Sequence, residues 1–120
     1  MGTDPALDPR VLASLRELTA PGEPDVLADV LQLFLEEFPK KLRTLQAAME
    51  AGDAEQVARA AHSLKGSSGN IGASSMLDIC GRIDDFARAG DLEKLTPLVG
   101  QLTDEYHRVE LEIKQLLQTS

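Results

Sequence analysis

The chain has 120 residues, 12 Lys and Arg against 20 Asp and Glu, a net charge of −8, and four aromatic side chains, three Phe and one Tyr. That length holds one core and leaves no room for a second, nucleotide-binding domain. A pI near 4.6 with so little aromatic surface argues against nucleic acid as partner, because neither phosphate attraction nor base stacking is available.

Cys80 is the one cysteine, so an internal disulfide is impossible. No charged-then-apolar leader and no run of about 18 apolar residues is present, so a soluble, cytoplasmic protein with no membrane association is expected.

Apolar residues recur at helical spacing along nearly the whole chain and never alternate over a strand-length run, which predicts an all-α fold. Residues 1–7 carry no such pattern and are expected to be disordered; residues 8–120 form the single domain. Asp8-Pro9 opens a short helix with Val11, Leu12, Leu15 and Leu18 as its stripe, and the run from Ala20 to Pro24 ends it. The first long helix spans about 25–51, some ~40 Å, with Leu27, Leu31, Phe34, Phe38, Leu42, Leu45 and Met49 on one face. Pro39 should kink it.

Gly52 then stops the chain and Asp53-Ala54-Glu55-Gln56 reads as a capping box, starting a helix over about 54–69. A third helix, about 73–89, buries Met76, Cys80, Ile83 and Ala87. The last, about 92–118, carries Leu95, Leu98, Leu102, Tyr106, Val109, Ile113 and Leu116, with Pro97 suited to a first turn. Four long amphipathic helices on short connections predict an up-down-up-down bundle with an additional N-terminal helix across one end.

The informative segment is Ala60-Ala61-His62-Ser63-Leu64-Lys65-Gly66-Ser67-Ser68-Gly69. At about 100° per residue, Val57, Ala61, Leu64 and Ser68 share a narrow inward arc, so His62 points to solvent. Ala58, Arg59, Lys65, Gly66 and Gly69 lie on its side. Two cations and three residues with little or no side chain thus surround an exposed imidazole. Each interior Gly costs roughly 1 kcal/mol relative to Ala, so the pattern points to close approach by a partner, although fraying near a helix end would also leave glycines there. A free imidazole with a pKa of about 6.5 is roughly three-quarters neutral at pH 7 and therefore nucleophilic, and a Lys one turn on neutralises phosphoryl oxygens.

His62-Ser63-Leu64-Lys65-Gly66-Ser67-Ser68, followed by Ile71-Gly72-Ala73, closely resembles the signature of histidine-containing phosphotransfer (HPt) domains of two-component phosphorelays. The resemblance covers about residues 25–118. It implies that His62 is phosphorylated on Nε2, that Lys65 assists the phosphoryl group, and that Gly66 leaves room for a response-regulator receiver domain. It further implies an acidic or amide side chain on the next helix reaching the imidazole; Asp84 is the candidate, projecting about 80° from the centre of its helix's inner face, while a solvated face shared with Asp85 is the alternative. Ser67 and Asn70 are further candidates near the phosphate, with capping of the helix end as their competing role.

Gly69, Ala58, Arg59 and the off-face apolar Leu35 are candidates for the docking surface. His107 reads as a solvated or edge residue beside Tyr106, and Cys80 as a small buried hydrophobe. The two histidines are far apart and no Cys/His cluster exists, so no metal site is expected. The resemblance implies a phosphocarrier without kinase or hydrolase activity of its own, needing no cofactor beyond the Mg²⁺ a receiver supplies.

A hybrid sensor histidine kinase is a second expected partner, and a monomer the expected state. Two alternatives stay open: a phosphoacceptor module cut from a chemotaxis-type or hybrid sensor kinase, and a helical binding scaffold that is never phosphorylated. The dimerisation region of a sensor kinase fits less well, since an acidic residue directly after the His is replaced by Ser63.

Overall fold

The computed structural model describes residues 5–119 as five α-helices with no strand among them: α1 Pro9–Glu17, α2 Val26–Glu50, α3 Ala54–Asn70, α4 Ser74–Arg88 and α5 Leu95–Thr119. Three aspartates cap them. Asp8 accepts from the Arg10 amide, Asp25 from Ala28 and Asp53 from Gln56, each relieving an orphan donor of a first turn. The chain reverses after α2 at Gly52 (φ +68°) and after α4 at Gly90 (φ +75°), a left-handed conformation that glycine adopts without penalty. A 3-10 turn, Leu92–Lys94, precedes α5 and places Pro97 in its first turn, where a missing amide hydrogen costs nothing.

Helices α2 to α5 pack in sequence around the bundle, with α3 held mainly between α4 and α2, and α1 lying against α2. The core runs the length of the bundle through Leu31, Phe38, Leu45, Leu64, Met76, Ile83, Leu102 and Ile113, all essentially without solvent contact. Phe38 stacks on Tyr106 with ring centroids 4.9 Å apart, which ties α2 to α5. The expected Pro39 kink does not divide α2, which runs unbroken for 25 residues. Leu18 lies just beyond the end of α1 and is exposed, leaving the stripe predicted for it.

The expectation of a disordered segment over 1–7 is corrected in its last residues, while residues 1–4 lie outside the described residues. Ala6 and Leu7 are buried, and their amides donate to the two oxygens of the Glu112 carboxylate at 2.8 and 2.9 Å. The Asp8 amide donates to the Gly72 carbonyl at 2.9 Å. A carboxylate from α5 thus satisfies backbone donors that burial would otherwise strand. Gly72 (φ +73°) has no space for a side chain, since a Cβ there would stand 2.8 Å from Cβ of Val11. This end of the bundle is closed by α1, and the middle of α3 remains open.

Candidate functional site

Helix α3 buries Val57, Ala60, Ala61, Leu64 and Ser68, and the Ser68 hydroxyl answers its own burial by donating to the Leu64 carbonyl at 2.8 Å. The 3.6-residue period then directs His62 outward at mid-helix, its side chain 72% exposed. Across the α3–α4 seam stands Asp84, whose side chain is 9% exposed and whose Oδ2 lies 3.9 Å from His62 Nδ1. That gap is too long for a hydrogen bond. Oδ1 of Asp84 accepts from Nε of Arg88 at 2.7 Å. The projection that put Asp84 at the seam is met, and the solvated alternative holds for Asp85, which is exposed.

Lys65 is half-buried and lies over Gly81 of α4: a Cβ at Gly81 would be 3.9 Å from both Cε and Nζ. The Lys stem thus lies against α4, in ordinary contact distance of a Cβ at that position, while its ammonium stays on the His side of α3. Arg59 pairs with Glu55 at 2.8 Å and Arg88 with Asp84, whereas Lys65 pairs with no carboxylate among the described residues. Its charge is therefore uncommitted. A groove of about 590 Å³ runs alongside, floored by Ala54, Ala58, Ala87 and Gly90 and edged by Glu55, Arg59, His62 and Arg88.

The two glycines of the motif differ. A Cβ at Gly66 would meet nothing within 4 Å, so this stretch of backbone is open to an incoming surface. At Gly69 it would stand 3.0 Å from Cδ1 of Leu77, so that glycine serves the packing of α4 on α3. Ser67 is turned towards α2, where it accepts from Lys41 Nζ at 2.8 Å and donates back to the Ser63 carbonyl at 3.2 Å. It sits about 140° around α3 from His62 and is not brought to it. Asn70 is exposed at the end of α3, beside a smaller groove that also takes in Leu33 and Lys41.

Leu35 is not the exposed docking residue expected from the sequence. It is half-buried against the core, because it falls on the flank of α2 opposite the one that faces α3. The exposed apolar residues flanking the glycine face are Leu33, 57% exposed on α2, and Leu77, 37% exposed on α4. Sequence reasoning missed both, as it missed Gly81 and Arg88. An off-phase Leu in α2 and an acid–base pair four residues apart in α4 were the available signals.

His107 is exposed on α5, with Nδ1 3.6 Å from the Glu110 carboxylate. Cys80 is fully buried, and burial pushes its thiol up to about 12, partly offset by a hydrogen bond with Ser68. It is an unreactive packing residue at neutral pH. Among the described residues no three His, Cys, Asp or Glu side chains gather as metal ligands, and no helix is long and apolar enough to cross a membrane.

His62 thus stands exposed with the Asp84 carboxylate behind one nitrogen and an unpaired Lys65 one turn on, and the bundle that carries it is similar to known proteins. The fold is similar to that of histidine-containing phosphotransfer protein B (HptB) from Pseudomonas aeruginosa PAO1, with a TM-score of 0.90 and 36% identity, covering 98% of this chain and 99% of that one. It is also similar to MtHPt2 from Medicago truncatula, at a TM-score of 0.84 and 28% identity over 95% of this chain and 78% of that one. In sequence, the histidine-containing phosphotransfer protein 2 of Arabidopsis thaliana is 28% identical over 105 residues, 85% of this chain and 67% of the relative. The histidine-protein kinase BarA of Escherichia coli K12 is 29% identical over 99 residues, 82% of this chain and 11% of the kinase. Residues 29–117 match the Hpt domain model, so helices α2 to α5, the site included, are accounted for as one unit and the chain belongs to the Hpt domain family.

Proposed function

We propose that His62 is the phosphoacceptor of this Hpt domain and exchanges a phosphoryl group with the aspartyl phosphate of a response-regulator receiver domain. The carrying observation is the exposed imidazole of His62 with the Asp84 carboxylate 3.9 Å behind Nδ1, which leaves Nε2 as the nitrogen facing outward. In the transfer step the Nε2 lone pair bonds to phosphorus, the bond from phosphorus to the aspartyl oxygen breaks, and its electron pair leaves on the receiver's carboxylate. Nδ1 keeps its proton, and the positive charge that develops on the ring faces Asp84. Lys65 neutralises the phosphoryl oxygens as the group arrives.

No nucleotide site is needed, because phosphoryl transfer asks chiefly for in-line positioning and charge neutralisation, and the Mg²⁺ belongs to the receiver. The open backbone at Gly66, flanked by Leu33 and Leu77, forms the docking face, with Arg59 and Ala58 at the edge of the adjoining groove. In this reading the chain works as a cytoplasmic monomer. The likeness to BarA favours a second reading, in which this domain acts within a hybrid kinase and receives its phosphoryl group from a receiver in the same polypeptide.

Incubation with a panel of radiolabelled phospho-receivers tests the proposal. Wild-type protein takes up acid-labile label, and His62→Gln takes up none while keeping its helical content and thermal transition. Label retained by His62→Gln would move the site elsewhere.

A further inference from the structure

We propose that Arg88 is a positioning residue for His62, clamping Asp84 so that its second carboxylate oxygen holds the imidazole proton on Nδ1. The inference rests on the reading of His62 as phosphoacceptor. Three Arg–carboxylate pairs at a spacing of four residues lie on α3 and α4. In Arg59–Glu55 and Arg82–Asp78 both partners are well exposed, the ordinary helix-surface pair that contributes little. Arg88–Asp84 differs: its guanidinium is exposed and its carboxylate is 9% exposed, at the shortest N to O distance of the three, 2.7 Å.

A carboxylate so nearly withdrawn from water is costly unless its oxygens find donors. Arg88 Nε occupies Oδ1 and so fixes the plane of the group, leaving Oδ2 as the oxygen that faces His62 Nδ1. The imidazole is 72% exposed and stands 3.9 Å from Oδ2, so a turn of the ring that brings Nδ1–H onto Oδ2 meets no competing partner among the described residues. A ring held in that tautomer presents the Nε2 lone pair to the partner. The opposite tautomer presents an N–H there and accepts no phosphoryl group. Arg88 also offsets the charge of Asp84, and Asp85 lies close enough to act on the same guanidinium. Arg88 and His62 edge the same groove, so the clamp sits beside the nucleophile without standing in front of it.

Nitrogen NMR of the neutral His62 ring in the intact protein reads the tautomer directly. The Nδ1–H form predominates in wild type, Arg88→Gln moves the population towards Nε2–H, and Arg88→Lys restores part of it. Transfer from a phospho-receiver slows roughly two- to tenfold in Arg88→Gln, the range of one lost positioning hydrogen bond. The same substitution adds nothing in an Asp84→Ala background. An unchanged tautomer ratio in Arg88→Gln overturns the proposal. So does an equal slowing by Arg88→Gln with and without Asp84, because Arg88 would then act on the receiver itself. The tautomer measurement needs no receiver, so it still decides if His62 takes no phosphate, an outcome that would refute only the phosphoacceptor reading.

Discussion

Gly66 separates a residue kept for docking from one kept for packing, and the separation is measurable within one position. It lies inside α3 at an ordinary helical φ, and a Cβ there meets open space. Gly66→Ala therefore gains the helix propensity of Ala without a steric cost, about 0.5–1 kcal/mol. With an unfolding entropy of about 2.1 cal/mol/K per residue, a domain of this length unfolds with about 0.25 kcal/mol/K, so Tm rises by about 2–4 °C. Gly69→Ala is the internal control. It has the same propensity to gain, but its Cβ arrives 3.0 Å from Leu77 Cδ1, so the neighbour must give way and the gain shrinks.

Gly66→Leu keeps the stability gain, since Leu ranks close to Ala in helices, and extends a branched side chain into the space beside His62. A docked surface pushed back by that side chain loses about 1–3 kcal/mol, which slows transfer from a phospho-receiver by about 5- to 160-fold. A small acyl phosphate needs no flat approach and should phosphorylate His62 within about twofold of the wild-type rate, a ratio set by its own size. The assay runs both donors side by side, with thermal melting of each variant. Transfer from the receiver at the wild-type rate in Gly66→Leu would refute the docking role. A fall in Tm for Gly66→Ala would refute the open backbone on which it rests.

Lys65→Ala should slow receiver transfer by at least tenfold, the scale of one removed charge-stabilising donor, with thermal stability changed by less than about 0.5 kcal/mol; equal rates would remove its role. Gly72→Ala should destabilise by about 2–4 kcal/mol in urea titration, from a left-handed φ together with overlap on Val11, and a change under 0.5 kcal/mol would contradict the closed end of the bundle. Burial pushes both the Cys80 thiol and the Tyr106 phenol up to about 12, so the folded chain holds protons that the unfolded chain releases. Stability is then full below about pH 9 and falls as pH rises towards 12; Cys80→Ala should flatten the first part of that decline, and a wild type equally stable at about pH 8.5 and 10.5 would contradict it.

The parts of the fold that the sequence disclosed are those whose causes are local. Asp25 and Asp53 precede their helices by one residue, and Gly52 and Gly90 stand where a left-handed turn is required, so the ends of α2, α3 and α4 could be read to within a residue or so. The site was legible for the same reason: the orientation of His62 follows from the spacing of Val57, Ala61, Leu64 and Ser68 on one helix. What depended on two distant segments meeting was hidden. Leu7 shows no periodicity, and its burial depends on Glu112, 105 residues away, accepting its amide. Leu35 and Leu33 are both off-phase leucines of α2, yet Leu35 packs against the core while Leu33 stays 57% exposed, a difference that periodicity along α2 does not carry.

The seam between α3 and α4 lies between these extremes. Helical projection placed Asp84 at an edge, but an angle on one helix carries no information about which atom of the next helix it will face. Gly69 contributes to that, since a Cβ there would stand 3.0 Å from Leu77 Cδ1 and the missing side chain lets α4 sit close on α3. Close approach brings a carboxylate of α4 within 3.9 Å of an imidazole of α3 while both remain on rigid elements. The chemistry proposed for His62 therefore depends in part on a small residue that does no chemistry itself, and a side chain larger than Ala at Gly81 should displace the end of Lys65, the neighbour a Cβ there meets at 3.9 Å, before it disturbs the fold.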